Sequence, residues 1–224
     1  MSATPGNAGW GAIFDWDGVV IDSSAAHEES WERLARETGK ELPPGHFKMG
    51  FGRKNHYIIP EILSWSKDIE EIKRLALRKE ALYREILKER GIHALPGVET
   101  WLRTLNKAGI PCVIGSSTSR INIDVVLDGL GLSASFADIV CGDDVNHGKP
   151  DPEIFLLAAR RIGRLPECCV VFEDAHVGIE AAHRGGMKAV AVATTNPIEE
   201  LGKAELAVHR LDELEISRID ALFA

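Results

Sequence analysis

Two carboxylates set two residues apart, Asp15 and Asp17, break an apolar run over residues 12–23 just before Gly18. Side chains alternate along a strand, so both aspartates project from one side of a strand end, and Gly18 lets the chain turn away sharply. Like charges this close invite a cation. With a hard metal such as Mg²⁺ between them, one carboxylate is held ionised as a nucleophile while the other exchanges protons with a substrate. Taken alone, Asp-x-Asp-Gly also suits an ordinary acidic turn. A calcium loop fits poorly, because Gly18 directly follows the second aspartate and no closing glutamate stands at the required spacing.

Three more segments carry matching chemistry. Ser116-Ser117-Thr118-Ser119 offers hydroxyls and backbone N–H groups ahead of a helix, which suits a phosphate; Lys149 would neutralise it, and Glu173-Asp174 would complete a hard-metal set. Each has a plainer reading: the serines and the Glu-Asp pair as helix caps, the lysine as a solvated loop residue, and Asp151-Pro152 as a cap with proline at the first helical position. Gly148-Lys149 is no nucleotide-type phosphate loop, since Pro150 stands where Ser or Thr is needed and five residues, not four, separate Gly142 from Gly148. The capping readings do not explain why every one of these segments should follow a strand.

The elements that position them alternate. Apolar strands are expected at 11–15, 110–115, 137–141, 168–172 and 188–193, separated by helices at 96–109, 121–130, 152–162 and 177–184. That order predicts an α/β fold, a doubly wound parallel sheet covered on both faces. Ligands of such sheets sit at the carboxyl ends of the strands, which is where Asp15/Asp17, Ser116, Lys149 and Glu173/Asp174 fall. Their joint placement points to phosphoryl transfer.

Between the first strand and residue 92 no strand signal occurs. Ser24 reads as the cap of a helix ending at Gly39, with His27, Trp31, Leu34 and Ala35 on its apolar face; residues 68–90 read as a second amphipathic helix closed by Gly91. Lys79 interrupts that helix's apolar stripe. It lies seven residues from both Ile72 and Ile86, within about 20° of each, so its stem must cross whatever the face covers. The loop Gly50-Phe51-Gly52-Arg53 offers Arg53 on a glycine-flanked approach. The domains expected are therefore an α/β core of 1–23 with 92–224 and an inserted helical cap of 24–91.

A net charge of −8 and a pI near 5.5 argue against nucleic acid or an anionic membrane as main partner. Four cysteines, two of them adjacent, read as buried thiols of a reducing compartment. Without a basic-then-apolar leader or an apolar run of about 18 residues, a cytoplasmic enzyme is expected.

The motifs Phe14-Asp15-Trp16-Asp17-Gly18-Val19, Ile114-Gly115-Ser116-Ser117, Gly148-Lys149-Pro150-Asp151-Pro152 and Phe172-Glu173-Asp174 occur in an order that resembles the haloacid dehalogenase-like superfamily, in its branch of β-phosphoglucomutase and small-metabolite phosphatases. The resemblance covers nearly the whole chain and implies a Rossmann-like core with an inserted helical cap. It implies Asp15 as nucleophile, Asp17 as general acid/base with its carbonyl on Mg²⁺, Ser116 and Lys149 as phosphate ligands, and Glu173 and Asp174 as metal ligands. It also implies that His27, Arg53 and Lys79 of the cap, with Ser117 and Thr118, handle the non-reacting part of a small phosphorylated sugar or related metabolite. Where the mutase has a serine-lysine-asparagine run, this chain has Thr118-Ser119-Arg120, which favours a phosphatase. A hexose phosphate mutase, a phosphonate hydrolase using Lys79 as an amine nucleophile, and an inactive phosphometabolite-binding protein are the alternatives.

Overall fold

The computed structural model describes residues 9–50, 53–91 and 93–224. Residues 1–8, and Phe51-Gly52 ahead of Arg53, lie outside the described residues. The chain divides into two compact units, Met1–Asp22 with His93–Ala224 and Ser23–Ile92.

The first unit is built on a parallel sheet of β1 (Gly11–Phe14), β2 (Cys112–Gly115), β3 (Asp138–Val140), β4 (Cys169–Glu173), β5 (Lys188–Val192) and β6 (Leu206–Val208), in the order β3-β2-β1-β4-β5-β6. β1, β2 and β4 are buried along their whole length, as strands covered on both faces must be. Their side chains sort by the two-residue period. Ile13, Val113 and Val171 pack with Phe155, Ala158 and Ala159 of one helix (Glu153–Arg161) and with Ile179 and Ala182 of another (His176–Arg184). On the opposite side Phe14 stacks on Phe172 with centroids 4.6 Å apart, and Trp101, from the helix Val98–Lys107, meets Phe172 edge-on at 6.2 Å. β6 is not expected from sequence; with Leu-Ala-Val it is too short to show a pattern.

The second unit is helical: α1 (Ser24–Thr38), α2 (His46–Gly50), α3 (Asn55–Tyr57), a π-helical turn (Ile58–Ile62) that includes Pro60, and α4 (Ile69–Arg90). Trp31 and Leu34 of α1 pack against Leu75 and Leu82 of α4. Asp68 caps α4 by accepting the Glu71 N–H at 2.8 Å, and α1 ends at Gly39 with φ 65°. Ser24 does not act as a cap. It is the first helical residue, and the capping position belongs to Ser23, whose carbonyl takes the His27 N–H while its side chain makes no capping bond. Ser119 likewise precedes the helix Arg120–Leu130 without a side-chain cap; Asp143 accepts the Arg120 N–H instead. Asp151 accepts the Glu153 N–H at 2.9 Å, so its capping role holds one residue out of register, with Pro152 at the capping position itself. No helix among the described residues is long and apolar enough to cross a membrane.

Candidate active site

β1 and β4 are neighbours in register, Phe14 opposite Phe172, so Asp15 emerges beside Glu173 at the strand ends. The Asp15 N–H still bonds the Phe172 carbonyl at 3.0 Å, which fixes the aspartate's backbone to the sheet. Lys149 arrives from the loop before the helix Glu153–Arg161. Its ammonium lies 2.9 Å from Asp15 Oδ1 and 2.6 Å from Glu173 Oε1, above the Phe155 ring at 4.9 Å. Asp15, Lys149, Glu173 and Asp174 are all buried.

Three carboxylates around one ammonium leave the cluster short of positive charge. Burial pushes the Asp15 carboxyl up to about 7, with Glu173 and Asp17 adding to the rise and Lys149 opposing it. Burial, then Glu173 and Asp15, push Asp174 well above the usual carboxylate range. Burial alone would pull Lys149 down, but Asp15 and Glu173 outweigh it and hold the lysine above its ordinary value.

Oxygens of Asp15, Glu173 and Asp174 lie within 4.8 Å of one another. Asp174 Oδ1 is buried without any hydrogen-bond partner, whereas Oδ2 takes the Thr195 hydroxyl and the Asp174 carbonyl takes the Asn196 amide at 2.9 Å. A buried, unpaired oxygen on a member of a three-carboxylate cluster fits a hard divalent cation such as Mg²⁺. Glu173 is differently engaged: Oε1 meets Lys149 and Oε2 accepts the Ala175 N–H at 2.7 Å.

Two glycines make room for these carboxylates. Gly18 turns with φ 79°, and a Cβ there would fall inside contact distance of Asp174 Oδ2; a Cβ on Gly178 would collide with Glu173 Oε1. Asp17 is half-buried and accepts the Thr118 hydroxyl on Oδ2. Thr118, expected from sequence at the substrate, thus also donates to Asp17. Ser116 is buried, its Oγ accepting the Thr118 N–H at 3.2 Å, and the Gly142 N–H holds the Thr118 carbonyl at 3.0 Å. Thr195, Asn196, Gly142 and Gly178 support the cluster through these contacts, and the sequence does not single them out as site residues. Thr195 and Asn196 stand just past the carboxyl end of β5, the same position on a strand that marks Asp15, Ser116 and Glu173, and that placement is the signal that could have found them.

The remaining expected residues lie in the helical unit. Lys79 is buried, its ammonium 2.7 Å from His27 Nδ1 and 3.0 Å from Glu80 Oε1. The His27 ring stacks on Tyr83 with centroids 4.0 Å apart. Arg53 is half-buried, with its guanidinium 4.8 Å from the centre of the Tyr57 ring.

The haloacid dehalogenase-like hydrolase family matches residues 11–186, and the chain belongs to that family. Its relatives in that family include named phosphatases. It is 42% identical over 212 residues to the chloroplastic 5-amino-6-(5-phospho-D-ribitylamino)uracil phosphatase of Arabidopsis thaliana, covering 93% of this chain and 56% of that protein, so it spans little more than half of the plant relative's length. It is 32% identical to hexitol phosphatase A of Escherichia coli, over 93% of this chain and 94% of that one. Among solved structures, β-phosphoglucomutase from Clostridium difficile superposes with a TM-score of 0.83 at 30% identity, covering 95% of this chain and 96% of that one.

Proposed function

We propose that this chain hydrolyses phosphate monoesters of small phosphorylated sugars or related metabolites through an aspartyl-phosphate on Asp15. The observation that carries this is the buried Lys149–Asp15 pair beside the unpaired Asp174 oxygen: a carboxylate aimed by an ammonium next to a cation-ready cluster. Asp15 attacks phosphorus and the P–O bond to the leaving oxygen breaks. Asp17, steadied by Thr118, gives that oxygen its proton, then takes one from the water that hydrolyses the aspartyl-phosphate. Lys149 and the Ser116 segment spread the phosphoryl charge. Mg²⁺, held by Asp15, Asp174 and the Asp17 carbonyl with Glu173 alongside, would supply further charge neutralisation.

The substrate reading narrows through the relatives. A ribityl chain and a hexitol are both open-chain polyols, so an acyclic polyol phosphate is the first ester to try, ahead of cyclic hexose phosphates. Neither nucleic acid nor a membrane is needed. Buried thiols suit a reducing compartment such as the cytoplasm, and among the four free cysteines only Cys168 is half-buried.

A panel of phosphate esters, read by inorganic phosphate release with Mg²⁺ and with excess chelator, tests the proposal. Asp15→Asn should abolish turnover, and activity surviving that change or full chelation would sink the mechanism. The likeness to β-phosphoglucomutase supplies the second reading. β-Glucose 1-phosphate with a trace of the 1,6-bisphosphate separates the two: rapid formation of glucose 6-phosphate with little free phosphate would make the chain a mutase.

A further inference from the structure

Lys149 is buried, yet the chain that delivers it is not: Asn146 and His147, three and two residues earlier, are exposed and lie outside every helix and strand. One side chain holds them. Glu153, the first residue of the helix Glu153–Arg161, reaches back with its carboxylate. The Asn146 N–H bonds both oxygens at 3.1 Å, the His147 N–H donates to Oε2 at 2.8 Å, and the His147 ring meets the same oxygen through Nδ1 at 3.0 Å. The proposed chemistry gives Glu153 no task.

These contacts hold the carboxylate as an anion. The N–H groups of His147 and then Asn146 keep the Glu153 carboxyl below the ordinary range, against a smaller rise from burial. His147, Asp151 and Glu153 bring ligand atoms within 4.8 Å of one another, but Asp151 Oδ1 accepts the Glu153 N–H at 2.9 Å and Glu153 accepts the loop, so the carboxylates of this cluster fasten backbone. The Asp151 N–H closes the turn on the Gly148 carbonyl at 3.0 Å. The same helix supplies Phe155, whose ring lies 4.9 Å from the Lys149 ammonium. Lys149 therefore stands between a backbone clamp and a ring that one helix provides.

We propose that Glu153 is a positioning residue for Lys149: by gathering the Asn146 and His147 N–H groups it fixes the loop that sets the lysine's ammonium on Asp15 and Glu173. A lysine head hangs on a flexible four-carbon stem, so it is held only as well as its backbone, and contacts of 2.9 and 2.6 Å leave little slack. The kinetic consequence rests on the function proposed above; the placement of Lys149 does not.

Glu153→Ala removes the clamp, Glu153→Gln leaves one neutral carbonyl oxygen in its place, and His147→Ala removes only the ring contact. In the full chain labelled with ¹⁵N-lysine, the Lys149 ammonium, identified by its loss in Lys149→Arg, should give a slowly exchanging signal. Glu153→Ala should shift or broaden that signal, Glu153→Gln should do so less, and His147→Ala should leave it in place. With the best ester of the panel, kcat of Glu153→Ala should fall about ten- to a hundredfold with KM nearly unchanged, because Lys149 acts on phosphoryl charge that grows in the transition state. Lost packing alone would lower the folded fraction and leave the ammonium signal of the folded molecules where it was. Thermal unfolding of each variant checks folding; should Glu153→Ala unfold, Glu153→Gln carries the same expectations at smaller amplitude. The proposal is overturned by a wild type without a protected Lys149 signal, by an unchanged signal in the folded Glu153 variant, by a moved signal with unchanged kcat, or by a His147→Ala effect as large as that of Glu153→Ala. A wild type that releases no phosphate from any ester would instead overturn the function, while the ammonium spectra still judge Glu153.

Discussion

Asp174 shows how much one side chain's behaviour depends on its supports. Its two oxygens have been given different work: Oδ2 is tied to Thr195, and Oδ1 is left bare inside the protein. Bare buried oxygens are costly unless a ligand arrives, and outer-shell hydrogen bonds of this kind orient a metal ligand. Thr195→Val removes the hydroxyl at nearly constant volume, so Asp174 can rotate and compete for its own pairing. Mg²⁺ affinity should fall about ten- to a hundredfold, measured by calorimetric titration of the protein with no substrate present; unchanged affinity would show that Thr195 does not orient the carboxylate.

At the level of elements, the helical unit hangs on the apolar stripe where α4 meets α1. Leu75 is wholly buried in that seam with Trp31 and Leu34. Leu75→Ala should cost about 2–5 kcal/mol, and hydrogen exchange should show the loss in α1 and α4 amides while β1 and β4 keep their protection. The stripe was legible because its period is helical and long. The parallel sheet was legible too, since strands such as Val170-Val171-Phe172 are unbroken apolar runs between turn signals. The features that stayed hidden depend on tertiary neighbours. Lys79 looked like an interruption because nothing in the order of residues says that Glu80 and His27 meet its ammonium. Nothing in the order of residues says that the Thr118 hydroxyl meets Asp17, which is far away in the chain. Ser24 has the right chemistry for a cap, yet the helix begins one residue earlier than that role requires.

For the whole molecule, the buried acidic cluster sets a pH dependence. The Asp15 carboxyl titrates near 3.8 when exposed and near 7 when folded. The folded state therefore binds more protons across that window, so in the metal-free protein this group's contribution to stability is fully present below about pH 4 and is lost as pH rises to about 7. Mg²⁺ should reverse the trend, because it binds the ionised cluster and stabilises by mass action. Melting temperatures with excess chelator should fall between about pH 5 and 7, and the increment from added Mg²⁺ should grow over the same range. An increment that shrinks with pH would mean that the cation sits elsewhere.

The chain leaves the α/β unit and returns to it through a single doorway. Asp17 bridges to Ile21, Ile21 bridges antiparallel to Ala94, and the Leu95 N–H bonds the Val20 carbonyl at 2.9 Å. The outgoing and incoming strands are thus already zipped together, within a few residues of Asp17, before the helical unit begins. Topologically, seventy residues are the tip of a hairpin. Such a junction is a natural cassette boundary: replacing 23–92 with a short Asn-Gly turn should leave the six strands paired and Asp15 on Lys149, visible as retained strand signal and Mg²⁺ binding, and other inserts could be carried at the same place without disturbing the carboxylates of the α/β unit.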